Sequence, residues 1–394
     1  MSPTPVTFAS PTQPASWSWE ATNAEIAARY GLPIASVVRF DTNTAPAPPA
    51  LVGRLLAAAD WEVPLSEYPP SDYGRLIEAA AGRYGVGRDE LLVGAGADEI
   101  LELVTKAFLR PGGAAVVPVP TYPMFGIVTE QRMGRVVRVP RRGATDGYAV
   151  DVDAVRAAAA EPDEGGSVPS MVWLCSPNNP TGRAEPPGAI QALLDGLAAD
   201  AERAGRPAPY VILDEAYAEF GGGSLVHLRE RYPRLVSVRT MSKAYAIAGL
   251  RVGFAVARPE VIREIAVYRP PGSVTNISVD IAAALLADET IAPARVAEVA
   301  AERERFQAGL RAAGWSSQPS TTNFVLVDFA TPAAAGAAAE GLLSRGLVPR
   351  TFPAKHALAH CLRLTVRSTA EDDRLLAAAR HWSPEDLQGS SAPK

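Results

Sequence analysis

The chain has 394 residues, of which 47% are apolar and 21% charged, with a formal net charge of −5. A chain of this size can bury a full core in two or three domains or lobes. It has no basic stretch for nucleic acid, no apolar run long enough for a membrane span and no basic segment that would open a signal peptide. We expect a cytoplasmic protein with small-molecule partners and two buried free thiols, Cys175 and Cys361.

The first fifty residues are predicted to divide into two parts. Residues 1–20 are rich in Pro, Ser and Thr and are predicted to form a flexible leader. Residues 21–50 are predicted to form an N-terminal arm, with a short helix over 22–30 and an extended piece over 37–49. We expect this arm to complete a smaller domain.

Residues 51–290 are predicted to form a large α/β domain, because short apolar strands alternate there with segments of helical periodicity. This alternation favours a mostly parallel sheet covered by helices on both faces. The predicted strands cover 91–93, 114–119, 136–139, 171–175, 211–213, 235–239 and 252–257, and the predicted helices include 73–84, 99–109, 186–204 and 259–267.

Residues 291–394 are predicted to form a small C-terminal α+β domain. Its first helix, over 293–313, is rich in Ala, Glu and Arg, and its last covers 370–382. Between them we expect strands near 323–329, 347–351 and 361–366 and a helix near 333–345.

Lysine is scarce, since only four of the 38 basic residues are lysines. Lys243 is the one in a distinctive pattern, because Ser242 precedes it and Arg251 follows eight residues later. Arginine can replace lysine as a surface charge, but its guanidinium stays protonated and cannot condense with a carbonyl. Lys243 is therefore the candidate for imine chemistry.

A turn of small residues at 94–99, Gly-Ala-Gly-Ala-Asp-Glu, joins a predicted strand to a helix. Free N–H groups and the helix dipole make such a turn a candidate phosphate site. A dinucleotide fingerprint fails because Glu99 stands at the third glycine position, and no Walker lysine follows. An ordinary tight turn remains the alternative.

Three more polar segments follow predicted strands: Ser-Pro-Asn-Asn-Pro-Thr-Gly at 176–182, Asp-Glu-Ala-Tyr at 214–217, and Ser242-Lys243 with Gly-Leu-Arg at 249–251. Singly, each could be a turn, an ion pair or a solvated charge. Together, in this order and spacing, they resemble the fold-type-I aminotransferases that use pyridoxal 5'-phosphate, and histidinol-phosphate aminotransferases form the nearest branch. The resemblance covers residues 41–369. It implies a mixed seven-stranded sheet in the large domain, a smaller α+β domain and a homodimer.

The resemblance implies that Lys243 holds the cofactor as an internal aldimine and serves as general acid and base. Asp214 would keep the ring nitrogen protonated, which the chemistry of an electron sink requires. Asn179 and Tyr217 would donate to the phenolic oxygen of the ring. A helix cap, an Asn-Pro turn and a buried aromatic are the structural alternatives for Asp214, Asn179 and Tyr217.

The cofactor phosphate would be held by the N–H groups of Ala97 and Asp98, the hydroxyl of Ser242 and the guanidinium of Arg251, again by resemblance. Two tyrosines complete the implied cofactor site. Tyr122 matches the aromatic that stacks on the ring, although a core position is the alternative. Tyr68 matches a tyrosine that reaches the cofactor of the neighbouring subunit, and an exposed loop aromatic is its alternative.

Substrate recognition is less well matched. Arg350 and Arg363 correspond to two arginines that grip the anionic groups of the substrate, and Asn43 lies in an altered version of a family segment. Trp17 falls near the position of a tyrosine that contributes to phosphate recognition, and Arg367 replaces a usual glycine. The substrate shell therefore differs from the family pattern more than the cofactor site does.

The predicted function is transfer of an amino group from histidinol phosphate or an aromatic or related amino acid to 2-oxoglutarate by a ping-pong mechanism. A decarboxylase of a phosphorylated amino acid is the alternative on the same scaffold. A non-catalytic regulator would need a DNA-binding segment before the fold. His356, His360 and Cys361 have metal-like spacing, but they lie in a Pro-containing loop just before a strand and no acidic partner is close. We therefore predict no metal.

Overall fold

The computed structural model describes residues 21–58, 66–221 and 223–381. The predicted leader, which includes Trp17, and Trp382 at the end of the last predicted helix lie outside the described residues. Within the described parts of the chain, no helix is long and apolar enough to cross a membrane.

The structure has the following strands and α-helices. The strands are β1 Val38–Arg39, β2 Leu91–Gly94, β3 Ala114–Val119, β4 Arg135–Pro140, β5 Met171–Cys175, β6 Tyr210–Asp214, β7 Leu235–Thr240, β8 Gly253–Val256, β9 Ser316–Ser317, β10 Phe324–Asp328, β11 Leu347–Val348 and β12 Cys361–Thr365. The helices are α1 Asn23–Tyr30, α2 Ala50–Ala57, α3 Gly74–Tyr84, α4 Gly96–Phe108, α5 Met124–Gln131, α6 Val152–Ala160, α7 Ala189–Arg203, α8 Pro259–Ala266, α9 Asn276–Ala287, α10 Ile291–Ala312, α11 Pro332–Leu343 and α12 Thr369–Ala379.

Seven strands form one mixed sheet in the order β2-β8-β7-β6-β5-β3-β4. All neighbours run parallel except β8, which is antiparallel to both β2 and β7. All residues of β5 and β7 are buried, as expected of strands that helices cover on both faces. The expectation of a mixed seven-stranded sheet in an α/β fold is confirmed.

Strands were easier to predict than some helices. Strands β3 and β5 begin and end at the predicted residues. Helix α9 has no counterpart in the predicted elements, because it is buried around most of its circumference and lacks the polar stripe that marks an amphipathic helix. Its buried residues belong to a core that includes Phe254 of β8.

A second group of strands lies apart from the large sheet. Strands β12, β10 and β9 form an antiparallel sheet, and β1 pairs in parallel with β11, with Val38 opposite Leu347. Residues 38–40 therefore share a core with the C-terminal elements, in which Phe40 stacks on Phe306 of α10. This pairing supports the predicted small domain, whose boundaries stay a prediction.

Candidate active site

Lys243 follows β7 in a loop beyond the carboxyl edge of the large sheet, and its side chain is partly buried. Its Nζ donates a hydrogen bond of 3.2 Å to the backbone oxygen of Asn43 and lies 5.9 Å from the centre of the Tyr217 ring. Burial, together with the positive charges of Arg363 and Arg251, lowers the pKa of the amine to about 8. Such an amine reaches the neutral, nucleophilic state near physiological pH.

Asp214 is the last residue of β6, and only 3% of it is exposed. Its Oδ1 accepts a hydrogen bond of 2.9 Å from the N–H of Ala216. Burial raises the pKa of Asp214 to about 7, although the positive charge of Lys243 acts in the opposite direction. A bound cation would stabilise this buried carboxylate, so the residue can face a protonated ring nitrogen.

Asn179 and Tyr217 are buried on the loops that follow β5 and β6. The Oδ1 of Asn179 accepts a hydrogen bond from Nη1 of Arg363. The hydroxyl of Tyr217 accepts a hydrogen bond of 2.9 Å from Nδ2 of Asn43. Because this hydroxyl is the acceptor in that contact, its own proton can be donated to a ligand oxygen.

Helix α4 begins at Gly96 without a side-chain N-cap, so the N–H groups of its first turn, including those of Ala97 and Asp98, can bind an anion. Gly96 has a φ of +82°, and a Cβ at this position would collide with the guanidinium of Arg251. Arg251 lies 3.4 Å from the carboxylate of Asp98. Helix start and guanidinium thus form one cradle for a phosphate.

Ser242 and Tyr122 are the other two residues predicted to hold the cofactor within one subunit. The hydroxyl of Ser242 accepts a hydrogen bond of 3.0 Å from Thr240, which leaves its proton for a ligand. The hydroxyl of Tyr122 donates to Asp98 at 2.9 Å, and burial with this carboxylate raises the pKa of Tyr122. The contact with Asp98 brings Tyr122 to the cradle, and cofactor binding by Tyr122 and Ser242 stays a prediction.

Arg363 lies within β12 and is buried. Its Nη1 donates to Asn179 and its Nη2 to the backbone oxygen of Asp41, while the backbones of Arg350 and Arg363 exchange two hydrogen bonds of 3.0 Å. Burial, with the positive charge of Arg350, lowers the pKa of Arg363 to about 10. A guanidinium held in this way offers a bidentate site for a carboxylate or phosphate.

Asn43, predicted to bind the substrate, is buried and hydrogen-bonded to other residues of the site. It is 2% exposed, it has a φ of +54°, and its backbone oxygen accepts hydrogen bonds from Lys243 and, at 3.0 Å, from Asn323. Its N–H donates to Thr365 at 2.9 Å. The sequence pattern did not identify Asn323 or Thr365. Thr365 could have been found, because it lies two residues after Arg363 on the same face of β12.

Tyr68 lies apart from the residues around Lys243 within the described chain. Tyr68 is 93% exposed and lines a surface groove with Gly272 and Asn276. Trp17 lies outside the described residues. Exposure of Tyr68 agrees with a contact to a second subunit, which stays a prediction.

The sequence argument against a metal near His360 and Cys361 rests on the absence of a nearby acidic residue, and that premise is wrong. The Sγ of Cys361 donates to Asp328 at 3.3 Å, and ligand atoms of Asp328, His360 and Cys361 lie within 4.8 Å of one another. His356 instead accepts a hydrogen bond from the N–H of Leu358. Burial raises the pKa of the Cys361 thiol, so it stays protonated and is a poor ligand. That the chain binds no metal stays a prediction.

The arrangement meets the chemical needs of pyridoxal 5'-phosphate. The start of α4 with Arg251 offers an anion cradle, and Asp214 offers a carboxylate that a cation would stabilise. Lys243, with its lowered pKa, offers an amine that can condense with an aldehyde.

Comparison with known proteins agrees with this geometry. A sequence model of the family described as aminotransferase class I and II matches residues 37–379. The histidinol-phosphate aminotransferase of Roseiflexus castenholzii is 36% identical over 361 residues, which cover 89% of this chain and 91% of that protein. The crystal structure of histidinol-phosphate aminotransferase from Sinorhizobium meliloti in complex with pyridoxal-5'-phosphate has a TM-score of 0.79 and 26% identity, and covers 95% of this chain and 96% of that one.

The structure of an L-threonine-O-3-phosphate decarboxylase from Porphyromonas gingivalis is also similar. It has a TM-score of 0.69 and 22% identity, and the match covers 88% of this chain and 99% of that one. A likeness at this level of identity concerns the fold alone.

Proposed function

The chain belongs to the aminotransferase class I and II family and uses pyridoxal 5'-phosphate, and from this we propose that it moves the amino group of histidinol phosphate to 2-oxoglutarate. Histidinol phosphate carries both an imidazole ring and a phosphate. The relatives named for this activity support the choice, and other aromatic amines are the nearest competing donors.

The juxtaposition of Lys243 and Asp214 carries the proposal. Each charge acts on the other group, and burial shifts both pKa values toward neutrality, Asp214 to about 7 and Lys243 to about 8. The bound cofactor would supply an electron sink and an aldehyde. Asp214 would stabilise the positive charge on the ring nitrogen of the cofactor. Lys243 would bind the cofactor covalently through Nζ.

Lys243 would then move the proton at the substrate carbon. When its amine is free, Nζ donates a hydrogen bond to the backbone oxygen of Asn43, which orients the amine. An amine with a lowered pKa can both take and return a proton near neutral pH. Transfer in two half-reactions through one site gives ping-pong kinetics.

Arg363 would bind the anionic group of each substrate in turn. Its guanidinium is buried and fixed by Asn179 and the backbone of Asp41, so it is pre-organised for a carboxylate or phosphate. Arg350, paired with it through the backbone, would add a second positive charge. Both arginines suit an acceptor with two carboxylates.

We also propose that the enzyme is a homodimer in which Tyr68 contributes to the partner's site. Tyr68 is 93% exposed in the described chain, so its ring is accessible to a second subunit. Mixing Tyr68→Ala with Lys243→Ala subunits should restore about a quarter of wild-type activity, since half of the dimers are hybrids with one intact site each. No recovery after demonstrated subunit exchange would refute the shared site.

One half-reaction tests the proposed donor. The purified enzyme in its pyridoxal form, without any 2-oxo acid, should convert stoichiometrically to the pyridoxamine form with histidinol phosphate and release the corresponding carbonyl compound. Phenylalanine and aspartate serve as comparison donors and should react more slowly. Release of carbon dioxide from a phosphorylated amino acid, without amino transfer, would contradict the proposal in favour of decarboxylation.

A further inference from the structure

Arg367 follows β12, and its side chain is only 11% exposed. Its Nη1 donates to two backbone oxygens, that of Arg39 at 3.2 Å and that of Thr44 at 3.3 Å. These oxygens belong to the two end residues of the six-residue segment 39–44, which includes the buried residues Asp41 and Asn43. A single guanidinium nitrogen therefore bridges both ends of this segment.

The guanidinium is itself anchored on helix α12. Its Nη2 donates to Glu371 at 3.0 Å, and the backbone N–H of Arg367 donates to both carboxylate oxygens of Asp372 at 3.2 Å. Both acidic residues lie in the first turn of α12. The bridge is therefore fixed to a regular element rather than to a loop.

Segment 39–44 contacts Lys243 and Tyr217 as well as Arg363. The backbone oxygen of Asn43 accepts from Lys243, and Nδ2 of Asn43 donates to Tyr217. The backbone oxygen of Asp41 accepts from Arg363. Any displacement of the segment would move the acceptor of Lys243 and the anchor of Arg363 together.

The conformation of the segment needs such support. Asn43 has a φ of +54°, in the left-handed region that an asparagine keeps only when its surroundings fix it. Thr365 holds the middle, because its Oγ1 donates to the backbone oxygen of Phe40 at 2.7 Å and accepts from the N–H of Asn43. Pairing of β1 with β11 also holds the Arg39 end, and Arg367 adds one contact that joins this end to Thr44.

We propose that Arg367 is a positioning residue of this enzyme, which holds segment 39–44 in register with Lys243 and Arg363. The inference rests on the proposed roles of those two residues. A glycine, which is usual at this position in the aminotransferase family, would offer neither of the two hydrogen bonds to the segment. The arginine therefore links α12 to segment 39–44, through the carboxylate of Glu371 on one side and two backbone oxygens on the other.

The test compares Arg367→Met, which keeps much of the apolar stem without the donors, with Arg367→Ala and with Arg374→Met. Arg374 lies on α12 and is exposed, and it donates to the backbone oxygen of Ser36 at 2.9 Å, outside the segment. Hydrogen exchange of the holoenzyme should be about tenfold faster at residues 40–44 in both Arg367 variants. It should be unchanged there in Arg374→Met.

Kinetics give the second readout. Both Arg367 variants should lose about tenfold in kcat/KM, with the KM for the 2-oxo acid raised because Arg363 loses its fixed anchor, while Arg374→Met stays within about twofold of wild type. Unchanged exchange at 40–44 in Arg367→Met would overturn the proposal. So would an equal acceleration throughout β10 and β12, which would mark a general loss of stability.

The role of Arg367 can be tested separately from the identity of the amino donor. Hydrogen exchange of the segment needs no substrate, so it tests Arg367 even if histidinol phosphate is not the donor. If Arg367→Ala does not fold, Arg367→Met decides the outcome by the same two readouts.

Discussion

The proposed cofactor half of the site, with Asp214 and Lys243, and the proposed substrate half, with Asn43 and Arg363, are built from different parts of the fold. Asp214 ends a central strand and Lys243 follows the neighbouring one, so a single parallel pair of strands brings them together. Asn43 and Thr365, in the substrate half, are 322 residues apart in sequence and meet only through the small sheet. Local chain order therefore determines the first half, and long-range pairing determines the second.

The two halves also differ in charge. The cofactor half holds a buried carboxyl whose pKa is raised to about 7, and the substrate half holds a buried guanidinium whose pKa is lowered to about 10. Each environment favours a ligand of the opposite charge. A cofactor with a cationic ring nitrogen and a substrate with an anionic group satisfy these two requirements at once.

The largest effect should come from the cofactor half. Asp214→Asn should lower kcat by about 10³-fold, because a neutral amide cannot keep the ring nitrogen protonated, whereas Asp214→Glu should retain considerably more activity. Steady-state kinetics on cofactor-saturated enzyme measure both variants. Equal and mild losses would assign Asp214 a structural role.

In the substrate half, Arg363→Lys should raise the KM for the 2-oxo acid by about 10- to 100-fold with a smaller change in kcat. Lysine keeps the charge but cannot bridge Asn179, Asp41 and a carboxylate as the planar fork does. The same substitution at exposed Arg345 serves as the control. An unchanged KM would remove Arg363 from substrate binding.

The sequence predicted these halves unequally, and the reason is physical. Lys243, Asp214 and Asn179 belong to short motifs directly after strands, so chain order was enough to place them together. The contacts of Asp41 with Arg363 and of Asn323 with Asn43 join segments that no short motif connects. Helix α9 was missed because its buried surface has no polar stripe, while β3 and β5 were delimited by the turns around them.

Without the cofactor, ionisation of Asp214 should make the free energy of unfolding depend on pH. The folded-state pKa of about 7 exceeds the unfolded value of about 3.9, so the contribution of this group is greatest below pH 4 and is lost as pH rises through 7. Cofactor-free Asp214→Asn should therefore gain about 1 to 4 kcal/mol relative to cofactor-free wild type between pH 4 and pH 8. Denaturant unfolding at both pH values measures this difference, and a constant difference would contradict a buried carboxylate.

The smallest effect concerns Trp17. Deletion of residues 1–20 should change the preference between imidazole-bearing and aliphatic donors by about two- to fivefold if Trp17 contributes an apolar face to the substrate. Competition assays with two donors measure this ratio in both chains. An unchanged ratio would leave donor choice to Arg350, Arg363 and Asn43.

The central claim is that Lys243 carries the cofactor. Reduction of the purified holoenzyme with borohydride, followed by proteolysis and mass spectrometry, should find the pyridoxyl group on the peptide that contains Lys243 and on no peptide with Lys106 or Lys355. Lys243→Ala should carry no such label and should lose about 10⁴-fold in activity. Stoichiometric label on Lys355, or wild-type turnover by Lys243→Ala, would contradict the account.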